Sequence, residues 1–417
     1  MGILILHHRG GLSACQYDSW LPDYDGDLVL LASREHLGWV GEELPSGPTG
    51  YRHLEAVDGY ELTGVVESRV LELAERFDVT DVLSVQEHDL ERTAQLREIL
   101  GLPGHSLADA EVWRNKALMK QVAARAGIPV AAHRTVECAT DLIAFAHEHG
   151  YPIVAKPRDG AGALGVRVLR SRAELDAFLA EDLELYGPYQ SNLMVEAFVD
   201  GPMCHVDGLV VDGELRYVYA SRYLFTLSDF RSLRQGRLDT TFDPDDPLGL
   251  RLVEFTKSVL DALPAPRHFA FHAEVFHTPD HRLVLCEIAA RPGGAQNRWV
   301  AEAMFGIDPV AGVLRAHAGL PLGDIPARPV TMSGQLLFGK RPGRVVSVPG
   351  EPPFPWVTRS VILAEPGQVF EGSRYSADVL ASFVVVAPDS RTTEARMRQL
   401  EEWFLDGLVI EPLEVTA

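Results

Sequence analysis

The apolar period changes from one part of the chain to the next. Over residues 1–105, short apolar runs alternate with helical patterns. Residues 2–7, 27–32 and 81–85 read as strands; 62–77 and 92–100 read as amphipathic helices, the second stopped by Gly101. Such alternation predicts a parallel sheet with helices on its faces. Ligands bind such sheets beyond the carboxyl ends of their strands. That makes His7, His8 and Glu87 candidates to touch an amine substrate, although residues in such loops are more often simply solvated.

Further along, Ser106 is placed to cap one helix through Trp113, Leu118 and Met119 that closes at Gly127-Ile128-Pro129, and residues 142–149 form another, ended by Gly150. From 151 to 289 the pattern becomes strands and hairpins, with a turn signal at Asp212-Gly213. Residues 220–241 are polar and arginine-rich and read as a loop, either a substrate gate or a solvated connection. A helix follows at 309–317. After Pro321 the pattern is β-type (330–338, 345–348, 360–363, 381–386), closed by an amphipathic helix at 392–406. The predicted fold class is mixed α/β and α+β in several domains: an N-terminal parallel-sheet α/β domain at 1–105, a central unit at 106–320, and a C-terminal α+β domain at 321–417.

Two stretches of the central unit carry chemistry. In 151–170 an apolar run ends at Lys156, a turn holds Gly160, Ala161, Gly162 and Gly165, and a second alternating run follows. A G-x-G-x-x-G that opened a helix would suggest a dinucleotide site; here a strand follows, so the glycines form a hairpin tip. Glycine lets backbone approach oxygen atoms closely, successive N–H groups make an anion-binding concavity, and Lys156 adds a positive charge at its base. A mobile surface turn beside an ordinary lysine is the plainer alternative. In 271–294 two strands flank 277–281. If the connecting loop holds an even number of residues, Glu274 and Glu287 are diagonal neighbours on one face, roughly 7–8 Å apart, and can share a cation; a loop of three or five residues would separate them. Glu287 sits in an almost continuous apolar run, so its charge needs a partner. Paired carboxylates suit Mg²⁺. Arg291 could clamp a carboxylate or phosphate, or make a structural ion pair.

Together these stretches resemble the ATP-grasp superfamily of carboxylate–amine ligases over about residues 105–320, in an order that matches: helix-start lysine, strand lysine, glycine hairpin, hinge at 192–201, two-glutamate strand pair and following arginine. The resemblance implies a central ATP-grasp fold with a lid at about 120–200. It implies ATP as cofactor, held by Lys116, Lys156 and the loop Gly160, Ala161, Gly162 and Gly165. Glu196 with the backbone of Ala197 and Phe198 would read adenine, and His205 or Asp207 would contact ribose. Glu274 and Glu287 would hold Mg²⁺ (or Mn²⁺). Arg291, with the Gly293 and Gly294 amides and Lys156, would act in catalysis on an acyl phosphate. Ala289 stands where many relatives place a metal-binding Asn. The pattern looks most like L-amino acid ligases of peptide and antibiotic biosynthesis, with small-molecule carboxylate and amine substrates and a homodimer as the usual arrangement. Loading of an amino acid onto a carrier-protein thiol, and a non-catalytic nucleotide-binding regulator, are the alternatives.

Composition narrows this little. Across 417 residues, 46% are hydrophobic and 23% charged, as expected for a globular protein. A net charge of −21 argues against a broad nucleic-acid or anionic-membrane surface. No P-loop or protein-kinase signature occurs. The four scattered cysteines, a start too short for a signal peptide and the lack of a long apolar run fit a cytoplasmic protein, with Cys286 expected as a buried free thiol.

Overall fold

The computed structural model describes residues 2–181, 192–225 and 235–413. The N-terminal unit is the expected parallel sheet. Strands β1 (Gly2–His7), β2 (Asp27–Ser33), β3 (His53–Val57) and β4 (Val79–Leu83) lie in the order β3-β2-β1-β4. Every residue of β1 is buried, since helices cover both faces of the sheet. Helix α1 (Arg34–Trp39) follows β2, and α2 (Val65–Arg76) and α3 (Leu90–Leu100) pack Val70, Leu73 and Leu96 against Leu4 and Val82.

The helix predicted to start at Ser106 is two. Ser106 caps α4 (Leu107–Arg114), and the chain breaks at Asn115, whose side chain accepts from the amides of Ala117 and Leu118 to cap α5 (Lys116–Arg125). Asn115 is in an extended conformation (φ −92°, ψ 100°), which no helix interior tolerates. Lys116 thereby becomes the first residue of α5, and its own amide reaches the Arg158 carbonyl at 2.9 Å.

A small antiparallel sheet, β5 (His133–Val136), β6 (Ile153–Pro157), β7 (Arg167–Leu169) and β8 (Leu193–Ala197) in the order β5-β8-β6-β7, together with α6 (Ala139–His149) and α7 (Arg172–Glu181), occupies the stretch expected as the lid. It has its own core of Val136, Leu142, Phe145, Ile153 and Val195.

The main body is one eight-stranded sheet, order β13-β12-β9-β10-β11-β14-β18-β16. Its strands are β9 (Met203–Val211), β10 (Glu214–Tyr223), β11 (Arg237–Thr241), β12 (Phe269–His277), β13 (Leu283–Ala289), β14 (Met332–Gly339), β16 (Val357–Ile362) and β18 (Val379–Ala387); β15 (Gly343–Ser347), β17 (Val369–Phe370) and β19 (Val409–Glu411) make a three-stranded annex. Asp212 and Gly213 take φ of 58° and 76°, the two positive values a tight two-residue hairpin requires. Much of the segment read as a polar loop is instead the end of β10 and all of β11; residues 226–234 lie outside the described residues. The boundary at 321 falls in a loop, but the strands beyond it extend the central sheet. Helix α8 (Pro247–Ala262) packs on β9 and β10, α9 (Asn297–Phe305) and α10 (Pro309–His317) cover the other face, and α11 (Ser390–Gly407) packs on β14 and β18.

Candidate active site

The two glutamates come together by a route the loop-length argument did not anticipate. Strands β12 and β13 pair His277 with Leu283, leaving a five-residue connection, which by itself would send the acids to opposite faces. A β-bulge intervenes: Val275 pairs with Leu285 but Glu274 pairs with Glu287, so Cys286 is the extra residue. The bulge returns Glu287 to the face of Glu274, and ligand atoms of Glu274, Glu287 and Cys286 lie within 4.8 Å of one another. Cys286 is a free, buried thiol that burial pushes up to about 12, so it stays protonated. Burial works to raise the Glu274 carboxyl, yet His272, 3.7 Å away, outweighs it and holds Glu274 below its usual range. Two carboxylates side by side, with Lys116 Nζ 3.5 Å from Glu287, are a donor set suited to a divalent cation with oxygen preference.

Lys116 also donates to the Gly160 carbonyl in the glycine loop, so it bridges loop and acid. In that loop Gly162, Ala163 and Gly165 have φ of 64°, 59° and 74°. A Cβ on Gly165 would meet Pro157 at 2.9 Å, so only glycine suits both backbone and space there. The tip rests on the C-terminal unit, where Ser376 N donates to Gly162 O at 2.9 Å.

Lys156 projects from the end of β6 and is 5% exposed. Burial alone would lower its ammonium, but neighbouring charge keeps it raised; with Cys286 protonated, Glu196 at 2.6 Å is the partner that counts. Glu196, on the adjacent β8, is also 3.1 Å from Lys120. The two lysines overcome burial and bring its carboxyl down to about 2. Glu196, expected to read adenine, is as placed a buried anchor for two lysines. The N–H groups of Ala197 and Phe198 are likewise taken, by the carbonyls of Ala132 and Pro152, so neither is a free donor to adenine as placed. Lys120 was not singled out from the sequence. It follows Lys116 by four residues on α5, and also donates to the Leu285 carbonyl at 3.1 Å, tying lid and β13 to one helix face.

His205, the expected ribose contact, is already partnered. The ring is fully buried, with Nδ1 2.5 Å from Asp207 and Nε2 2.9 Å from Asp239, so no ring nitrogen remains for a hydroxyl. Although burial lowers an imidazolium, the two carboxylates raise His205 to about 10. Asp207 also accepts from His272 Nδ1 at 2.9 Å, and Gln335 Nε2 donates to Asp239 at 2.6 Å. This network lies behind Glu274 and orients it through His272, while Tyr223 donates to Glu274 at 3.3 Å.

Arg291 emerges at the end of β13 and is held at Nε by Glu87 at 2.7 Å. Glu87 is itself buried between Arg291 and Arg114, each 2.7 Å away, and despite burial these charges lower it to about 2. Glu87 thus braces the arginine and is not free for a substrate amine. His7 is similarly occupied, by Tyr17 OH and the Gly10 carbonyl. A Cβ on Gly293 would sit 2.6 Å from Asn297 and 2.7 Å from Asp207. The amides of Gly293 and Gly294 donate no hydrogen bond among the described residues.

Residues 115–214, which span Lys116, the glycine loop, Glu196 and His205, match the family described as the ATP-binding domain of the carbamoyl-phosphate synthase large chain. The whole fold superposes on an L-amino acid ligase from Bacillus licheniformis with a TM-score of 0.73 over 99% of both chains, at 17% identity. The chain has an ATP-grasp fold. Another structure sharing this ATP-grasp fold, the biotin carboxylase domain dimer of 2-oxoglutarate carboxylase from Hydrogenobacter thermophilus in complex with MgADP, matches with a TM-score of 0.65 over 98% of this chain and 90% of that one, at 18% identity. In sequence, the L-arginine-specific L-amino acid ligase of Bacillus subtilis is 28% identical over 260 residues, 61% of this chain; the match spans 62% of that relative's length.

Proposed function

We propose that this protein is an ATP-dependent carboxylate–amine ligase of the ATP-grasp type that joins amino acids or small peptides through an acyl phosphate. The observation that carries the reading is the bulge at Cys286, which sets Glu274 and Glu287 side by side beneath a glycine loop and between Lys116 and Arg291. The names of its relatives favour amino acids as substrates. Nothing in the arrangement calls for a covalent protein nucleophile.

A substrate carboxylate oxygen attacks the γ-phosphorus of ATP, the bond to the β,γ-bridging oxygen breaks, and ADP leaves. An amine then attacks the acyl carbon, and phosphate leaves with the former carboxylate oxygen as the amide forms. The chain's part in the first step is positioning and charge neutralisation. Lys116, Lys156 and the loop amides hold the phosphates. Glu274 and Glu287 would hold a divalent ion, which would supply further neutralisation of phosphate charge. Arg291, braced by Glu87, holds the reacting carboxylate, and the Gly293 and Gly294 amides face the oxyanion of the second step. Closure of the glycine loop onto residues 375–376 excludes water, which would otherwise hydrolyse the acyl phosphate. A homodimer in the cytoplasm is part of the same reading; no helix among the described residues is long and apolar enough to cross a membrane.

The test is phosphate release from Mg·ATP across amino acids offered singly and in pairs, with mass spectrometry of positives. The reading expects release, with ADP and a condensed mass, for particular pairs. Phosphate release that never depends on an added amine or carboxylate overturns it. Release that yields product bound to a carrier-protein thiol would assign the acceptor differently.

A further inference from the structure

Outside the ATP site, three successive loops at the carboxyl edge of the N-terminal sheet bring metal-competent side chains together. His8 directly follows β1, His36 lies in α1 after β2, and Glu61 follows β3. His8 Nε2 is 2.5 Å and His36 Nε2 3.4 Å from the same Glu61 oxygen, and ligand atoms of all three lie within 4.8 Å of one another. We propose that His8, His36 and Glu61 form a binding site for a divalent transition-metal ion of the Zn²⁺ type, distinct from the paired glutamates of the ATP site.

Two observations carry this. First, the donor set is two imidazoles and a carboxylate, which suits Zn²⁺ and not Mg²⁺. Nitrogen and oxygen ligands at about 2.0–2.2 Å from a tetrahedral zinc stand roughly 3.3 Å apart. The His36–Glu61 separation already matches, and His8 need withdraw by less than an ångström. Second, the hydrogen-bond pattern around His8 is unsatisfied without an ion. If Nε2 carries the proton and donates to Glu61, Nδ1 presents a bare lone pair to Asp89, 3.7 Å away, and that buried Nδ1 has no partner. A metal on Nε2 reverses the tautomer and turns an Nδ1–H toward Asp89. The result is the carboxylate–histidine–metal relay that fixes ligand orientation at such sites. Asp89 is prepared for that role, fully buried and held by Tyr60 OH at 3.0 Å and Arg92 at 2.6 Å. Glu61 is partly exposed and gives an ion a path in; Arg9, now 2.8 Å from it and itself half exposed, is the cation to be displaced. The fourth position is left to water.

The experiment uses the full chain without a histidine tag, desalted after incubation with Zn²⁺ in the presence of Mg·ADP, and measures retained metal by mass spectrometry. Co²⁺ serves as a parallel probe through its visible absorption. The wild-type protein is expected to retain one equivalent and to show an intense tetrahedral Co²⁺ band. His36→Gln and Glu61→Gln should each weaken binding at least about tenfold, whereas Glu287→Gln should leave it unchanged. Glu61 is exposed enough that its variant folds even if the His36 variant does not. No retention by the wild-type chain, or retention that both variants keep, overturns the proposal.

Discussion

Glu196→Gln should loosen the lid. Glu196 stands 2.6 Å from Lys156 and 3.1 Å from Lys120, with all three side chains almost fully buried. At an effective dielectric of about 20, the two attractions are roughly 6 and 5 kcal/mol before desolvation. Removing three ions from water costs several kcal/mol each, so the triad contributes little net stability. Removing the carboxylate alone is different, because it leaves two buried ammonium groups facing one another, at a cost of ~3–5 kcal/mol. That corresponds to a shift of roughly 10²–10⁴ in the lid's opening equilibrium. Amide hydrogen exchange across β6 and β8, with calorimetric melting, reads it directly. Adding Lys120→Met to Glu196→Gln removes the surplus charge and should recover at least half of the loss. Acid sensitivity is a second signature. The folded value of Glu196 is about 2 against an ordinary 4.5, so its contribution is present above 4.5 and is lost as pH falls toward 2; Glu196→Gln removes that limb. Unchanged exchange protection in the single variant, or a double variant less stable than the single, would refute the reasoning.

Three further outcomes follow from the same geometry. Glu287→Gln should lower ligase turnover by about 10²–10³ while leaving the melting transition unchanged within about 1 kcal/mol, since the loss is one of charge neutralisation at the phosphates. Asn115→Ala should cost ~1 kcal/mol through the lost cap of α5 and also weaken ATP binding, because Lys116 is the first residue that cap positions; titration with ATP beside a melting curve separates the two. His205 is raised to about 10 from 6.5, so its contribution is full below 6.5 and lost as pH rises toward 10; His205→Gln should flatten the alkaline limb of stability measured by denaturant titration.

Strands β1 and β2 of the N-terminal sheet were legible because they are buried on both faces and read as apolar runs, whereas the half-buried β3 (His53–Val57) was missed; helix 309–317 was legible because Asp308 and Pro309 mark its start and a basic last turn its end. The same Asp-Pro signal stood unread at Asp246-Pro247, where it starts α8. Asn115 could also have been read, being a strong cap residue inside an apparent helix. The bulge at Cys286 could not. It is a property of backbone pairing, and the acids converge despite a loop length that should have separated them. Lys120 and Glu196 lie far apart in sequence, as do His205 and Asp239, and each pair meets only because the lid or the central sheet brings distant strands together. Local pattern reveals which residues can carry charge inside a core, but their partners are set by topology.

The most direct test of the ligase mechanism follows an oxygen atom. A mixture of amino acids labelled with ¹⁸O in their carboxylates is incubated with the protein and Mg·ATP, and the released phosphate is analysed by mass spectrometry. An acyl phosphate requires one ¹⁸O in each phosphate formed. Unlabelled phosphate would mean that water attacked ATP, and that would contradict the account.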